Sequence, residues 1–296
     1  MVSSFQRRRL RITFRLATGT FNKEGNPDTV ILEGYRAEVD IEAPAGYQFS
    51  NCRARIFGIE REVMNRLSVI GINILGFMAN QMIVEASDVN GGYVKIFVGD
   101  IFFASPDYTG APDVPFLAEA RAGLVSSLAE SEAISYPGAR KVKDIMEVLA
   151  KEVNLTLQNN GVESTISDQY LAGTAINKIQ TLAYAARIQY WYLPEEGVLA
   201  IAPQGKARES KPVIFNFENG LVGWPVKTPV GIEFTSLFNP AVFHGCKILI
   251  ESDVPACNGE WYIVGMTHKL TSEIPGGAWF TYFTASQEDT FILGQR

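Results

Sequence analysis

Between Phe238 and Tyr282 the chain spells out three successive extended segments with well-marked turns, and this stretch constrains the fold more than any other. Lys247–Ser252 is a short apolar run rich in β-branched residues. It stops at a loop holding Asp253, Pro255, Asn258 and Gly259, where proline removes a ladder donor and Asn-Gly tolerates positive φ. From Trp261 to Thr271 the side chains alternate, with Tyr262, Val264, Met266, His268 and Leu270 on one side and Trp261, Ile263, Gly265 and Thr267 on the other. Ile274-Pro275-Gly276-Gly277 turns the chain, and Trp279–Thr284 is a third run rich in aromatics and threonine. Such a pattern is an antiparallel meander, a scaffold and not a reaction centre.

The same period of two recurs through the first third of the chain. Leu10, Ile12, Phe14 and Leu16 fall on one face of a strand whose other face carries Arg7, Arg9, Arg11, Thr13 and Arg15. Thr29–Glu42, Asn51–Ile59, Gln81–Asp88 and Tyr93–Ala104 read as further strands, with a single helical spacing at Glu60–Val69. Phe116–Ile134 fits a long strand or a helix. The period then changes: Val142, Ile145, Met146, Leu149 and Val153 define one amphipathic helix. Thr174–Ile188 is a second, with Ile176, Ile179, Leu182, Ala183 and Ala186 inward and Asn177, Lys178, Gln180 and Arg187 outward. Gln189–Leu193 and Val198–Ala202, joined by Pro194-Glu195-Glu196-Gly197, form a hairpin. The expected fold is therefore mainly β with an α+β insertion: two β-barrel-like domains plus a small helix-helix-hairpin module. The expected boundaries are 1–107 for the N-terminal barrel, 108–137 for a linker and strand joining the second barrel, 138–208 for the module and 209–296 for the C-terminal barrel.

A chain of 296 residues, 47% hydrophobic and 20% charged, can bury more than one core. Its formal net charge of -6 supplies no positive field for a DNA backbone, so direct nucleic-acid binding is not expected. Three scattered cysteines make no disulfide framework, and Arg11 and Arg15 interrupt any signal-peptide core. Leu67–Val84 is uncharged over about 18 residues, the minimum for a membrane span. Ser68, Asn73, Asn80 and Gln81 would each need a partner in hydrocarbon, so the stretch reads as a buried loop or interface. No membrane partner is expected.

The residues that carry chemistry are few. His244 and Cys246 share a strand face, and with Cys257 and His268 they offer four zinc ligands, but no pair has the usual ligand spacing. No metal and no cofactor is expected. Glu130 with Glu132 and Glu195 with Glu196 are carboxylate pairs of a kind any acidic chain contains, and they read as solvated charge. No catalytic residue is assigned. Trp224, Trp261 and Trp279 read as core packing. The arginine row is more informative, because four cations on one strand face repel unless acidic groups answer them. It is either a charged edge kept from aggregating or an interface. The candidate subunit-interface residues are Arg7, Arg9, Arg11, Arg15, Ile72, Ile74, Phe77 and Met78.

Several stretches, in order, resemble the baseplate hub proteins of contractile-tailed bacteriophages: NCRARIFGIEREVMNRLS, VKIFVGDIFFASPDY, LAGTAINKIQTLAYAARIQYWYLPEEGVLAIAPQGKARES, GLVGWPVKTPVGIEFTSLFNP and NGEWYIVGMTHKLTSEIPGGAWFT. The resemblance implies a structural protein of the virion, not an enzyme. It implies a homotrimer whose two barrel domains per subunit form a pseudo-sixfold ring between a sixfold tail tube and a threefold central spike. Its partners would then be itself, the tube protein, the spike protein and other baseplate proteins, with assembly in the host cytoplasm. The resemblance also puts Phe116–Tyr136 with the second barrel. An alternative is a carbohydrate-binding or adhesive β-protein of a virion, which requires an exposed aromatic patch.

Overall fold

A computed structural model describes residues 8–21, 27–70, 79–88 and 91–290. The strands of the first lobe are β1 (Leu10–Arg15), β2 (Thr29–Glu33), β3 (Ala37–Ala43), β4 (Asn51–Phe57), β5 (Val69–Ile70), β6 (Gln81–Ser87), β7 (Tyr93–Pro106) and β8 (Pro115–Arg121), with helix α1 (Arg61–Leu67) between β4 and β5. After helix α2 (Leu124–Leu128) comes the module: β9 (Ile134–Lys141), α3 (Val142–Glu152), β10 (Thr156–Asn159), β11 (Thr165–Leu171), α4 (Ala175–Ala186), β12 (Ile188–Leu193) and β13 (Val198–Pro203). The second lobe holds β14 (Val213–Phe215), β15 (Leu221–Thr228), β16 (Gly231–Leu237), β17 (Lys247–Ile250), β18 (Gly259–Ser272) and β19 (Trp279–Ser286). The expected meander is present as β17, β18 and β19, paired antiparallel in sequence order.

The mainly β expectation holds, but the two β-barrel-like domains do not appear as separate barrels. A single 14-stranded sheet has the main path β15-β16-β19-β18-β3-β4-β8-β7-β6-β1-β2, with β17 and then β14 joined to β18 and β5 joined to β7, and no closed barrel forms among the described residues. The cause is the length of β18. Its 14 residues extend over about 45 Å, more than twice an ordinary strand. One edge of β18 pairs with β17 through Gly259–Tyr262 and then, beyond a gap, with β3 through Met266–Ser272, while the other edge follows β19. One strand therefore belongs to both lobes. A second correction concerns Pro115–Arg121, expected to join the second barrel. It lies between β4 and β7 in the first lobe, where Ala118 and Ala120 face the core beside Ala54 and Cys52. The ambiguous stretch Phe116–Ile134 divides into nearly the whole of that strand, the short helix α2 and the first residue of β9.

Inside the sheet the alternation seen in the sequence is obeyed. Val39 and Ile41 on β3, Cys52, Ala54 and Ile56 on β4, and Leu10, Ile12 and Phe14 on β1 are buried together. Phe14 meets Phe116 edge-on at 6.2 Å. The second lobe has its own core around Phe215, Phe234 and Phe283, the last two stacked at 4.9 Å. The module has a third, where Ile145, Met146 and Leu149 of α3 face Ile176, Ile179 and Leu182 of α4 over the sheet β10-β13-β12. Thr174 caps α4 by accepting from the Asn177 amide. Lys178, expected on the outer face of α4, is 1% exposed: its Nζ donates to the Glu132 carbonyl at 2.7 Å and to Glu152 at 3.0 Å. A lysine stem is long enough to lie in an apolar layer while its ammonium finds acceptors at the margin.

The module touches both lobes through β12. Tyr47 stacks on Tyr190 at 4.9 Å and Phe49 meets Tyr192 edge-on at 5.3 Å, which holds β12 to the first lobe. On the other side Arg208, 3% exposed at its side chain, donates to Gln158, to both oxygens of Glu196 and to the His244 carbonyl, while its guanidinium lies 4.4 Å from the centre of the Phe243 ring. Gly245 permits this knot. It has φ +86°, and a Cβ there would come within 2.8 Å of the Arg208 stem and 3.0 Å of Trp191.

Among the described residues no helix is long and apolar enough to cross a membrane. Within Leu67–Val84, α1 ends at Leu67 and β6 begins at Gln81.

Candidate functional site

The outward face of the second lobe is the most unusual surface of the molecule. β15 is an edge strand with an irregularity between Val222 and Val226, which is where a strand can accept Pro225. Pro225 turns inward, and its carbonyl lies 3.6 Å from the Cys257 thiol. Val222, Trp224 and Val226 all point outward, with Trp224 70% and Val226 61% exposed. Tyr282 on β19 is exposed beside them. A groove of about 510 Å³ runs from Trp224 and Val226 across β16, β19 and β18 to Pro44 and Ala45. Its floor includes Thr235, Thr267, Thr284 and Tyr282. Gly265 allows the far wall to close in, since a Cβ there would already lie 3.4 Å from the Ala45 amide. Glu42 and Glu233 line the groove as exposed carboxylates.

Trp261 and Trp279 are core residues, as their alternation implies, but Trp224 is not. The neighbouring Pro225 was the one local cue in the sequence, a cue to a strand irregularity and not to exposure, and the average burial of tryptophan pointed inward.

The predicted interface residues are divided. Arg7, Ile72, Ile74, Phe77 and Met78 lie outside the described residues. Arg9 and Arg15 are exposed on β1 and its N-terminal approach. Arg11 is answered within the sheet: its Nε lies 3.0 Å from Glu33, a terminal nitrogen lies 3.7 Å from Glu85, and its guanidinium covers the Tyr93 ring at 3.8 Å. Tyr93 donates to Glu33 at 2.9 Å, and this bond, followed by the one from Arg11, holds the Glu33 carboxyl below its usual range. Beyond β1 lies β2, the edge at the opposite end of the sheet from β15, with Ile31 57% exposed.

The sulfur and imidazole groups are engaged elsewhere. His244 Nε2 is 2.8 Å from the Val264 carbonyl, and His268 Nδ1 is 2.8 Å from the Thr281 hydroxyl. Burial lowers each imidazole to about 4, and burial raises the Cys246 thiol to about 11. Among the described residues no group of three or more His, Cys, Asp or Glu could hold a metal ion. Of the carboxylate pairs, Glu196 is taken by Arg208, and neighbouring Glu195, only partly exposed but crowded by its surroundings, is pushed up to about 8, chiefly by desolvation.

Solved structures share this architecture. The chain superposes on a tail protein from Neisseria meningitidis MC58 with a TM-score of 0.61 and 11% identity, covering 95% of this chain and 97% of that one. It superposes on the 43 kDa tail protein of prophage MuSo2 from Shewanella oneidensis with a TM-score of 0.59 and 10% identity, covering 94% and 98%. A chain of the Francisella PdpA-VgrG complex, half-lidded, gives a TM-score of 0.54 at 8% identity, covering 96% of this chain and 58% of that one. At these identities the likeness is one of fold. No curated protein matches the sequence. The sequence profile of the family described as "Baseplate hub gp41" matches residues 9–276, so this chain belongs to that family and is a structural, non-enzymatic hub component of a phage tail baseplate.

Proposed function

We propose that this hub is a trimeric adaptor that joins the sixfold tail tube to the threefold central spike. The observation that carries the reading is the single sheet running through both lobes, with β15 and β2 left as edges at its two ends. An open edge is a liability in a lone molecule and a joint in a closed ring. Sharing β18 makes the two lobes one stiff plate, which suits a part that transmits load between a tube and a spike. The fold likeness to a chain of the PdpA-VgrG complex supports a role inside a larger assembly. The three separate packing centres support a division into first lobe, module and second lobe, with Pro115–Arg121 counted to the first. Arg7, Arg9, Arg15, Ile72, Ile74, Phe77 and Met78 remain the proposed subunit contact.

Mass measurement by light scattering on the purified chain, alone and with its spike chain, tests the reading. Three copies per assembly are expected, and a strictly monomeric chain in the presence of the spike overturns it. Charge reversal at Arg9 and Arg15 should loosen the assembly more at low salt than at high salt. Arg11 is unsuitable for this purpose, because its reversal breaks the Glu33 and Glu85 contacts inside the subunit.

A further inference from the structure

We infer that the groove between Trp224 and Pro44 is a docking site for an extended, aliphatic segment of another protein chain carrying two basic residues about five positions apart. On the outer face of the first lobe Glu38, Glu119 and Glu33 are answered in place by Arg55, Arg53 and Arg11, and Asp40 stands opposite Arg53 on β4. Glu42 and Glu233 are exposed in the groove, and among the described residues neither has an ion-pair partner. The two unanswered carboxylates lie on either side of Tyr282, over whose ring the Lys269 ammonium stands at 5.7 Å, with Trp224 on the strand beyond Glu233 and Pro44 just after Glu42. Two free acids against that one cation, beside exposed apolar side chains, call for a partner that is both basic and apolar.

The spacing follows from the register. Glu42 pairs with Thr267, Thr267 with Tyr282 and Tyr282 with Thr235, whereas Glu233 stands two residues from Thr235 on β16. Three strand spacings and two residues along the strand separate the carboxylates by about 16 Å, the reach of about five extended residues. Between them the segment crosses Tyr282, and its apolar side chains settle against Trp224 and Pro44. A groove of about 510 Å³ accepts a few side chains, which fits a single segment better than the broad face of a second subunit. The inference rests on the adaptor reading only for the source of the segment.

Trp224 reports on the site directly, since Trp191, Trp261 and Trp279 are all buried. The experiment titrates the whole chain with a peptide of Leu and Thr, roughly ten residues long, bearing two lysines about five positions apart, and follows iodide quenching of tryptophan fluorescence. The lysine peptide should protect Trp224 saturably, and a peptide with glutamates in place of the lysines should not. The double variant Glu42→Gln, Glu233→Gln should weaken binding about tenfold, as should high salt, while Glu38→Gln should leave it unchanged. Equal binding of both peptides, or no protection, overturns the inference. So does protection that rises with the protein's own concentration, which would assign the groove to a second copy, or protection by an oligosaccharide alone, which would assign it to sugar. No other baseplate chain is needed, so failure here leaves the mass measurement with the spike untouched.

Discussion

The outer faces of the two lobes are parts of one sheet, yet they are built from opposite materials. Over β3, β4 and β8 the outward residues are Glu38, Asp40, Arg53, Arg55 and Glu119, set opposite one another so that Arg55 lies 3.8 Å from Glu38 and Arg53 lies 3.5 Å from Glu119. Over β15 and β19 they are Val222, Trp224, Val226 and Tyr282. The inner faces do not differ in kind, since both are apolar and closely packed. Folding accounts for the inner faces, so the contrast outside is what the docking inference draws on: the paired charges over β3, β4 and β8 need only water, whereas the exposed side chains over β15 and β19 suit a partner segment.

The largest effects should come from showing that the interiors are equivalent. Phe14→Ala in the first lobe and Phe283→Ala in the second should each cost about 3–5 kcal/mol in chemical denaturation, because each leaves a cavity beneath an aromatic pair. A cost near zero in one lobe only would mean that its inner face is not a true core, and the comparison would fail at its base.

Acid should separate the lobes next. His244 and His268, the only histidines, lie in the second lobe and at its seam with the first, and burial keeps both neutral in the fold down to about pH 4. The unfolded chain takes up those protons near pH 6.5, so stability falls as pH drops from 6.5 toward 4, by up to about 3 kcal/mol per histidine. Hydrogen exchange should then show β18 and β19 losing protection before β4 and β8. Glu195 acts with the opposite sign: its carboxyl, raised from 4.5 to about 8, contributes stability that is lost as pH rises through about 8. Glu195→Gln should remove that opposing slope, leaving the histidine window steeper. Uniform loss of protection across both lobes would remove the distinction.

The smallest effects belong to the two surfaces themselves. Arg53→Ala with Glu119→Ala, and separately Trp224→Ser, should each change stability by less than about 0.5 kcal/mol in thermal melts, since neither surface is held by burial. A loss above about 1 kcal/mol for Trp224→Ser would show that the indole packs its own lobe, and the docking argument would lose its anchor.

Much of the molecule was legible from periodicity because its causes are local. The alternation of Trp261–Thr271, the helical spacing of Val142–Leu149 and the threonine cap at Thr174 depend on neighbours within a few residues, and the strands, helices and inward faces follow from them. The candidate surface was less legible, because an exposed tryptophan and a buried one have the same local pattern until the neighbouring strands are known.

What the sequence by itself determined is most of the long strands, the two module helices and their hairpin, the main buried faces of these, and the order of family motifs from Asn51 to Thr281. The tertiary structure alone decided which sheet Pro115–Arg121 enters, that β18 serves two lobes, that Lys178 is buried against Glu152 and that Trp224 is not buried at all. Each of these depends on pairings between residues far apart along the chain, and no local propensity encodes which distant strand will arrive.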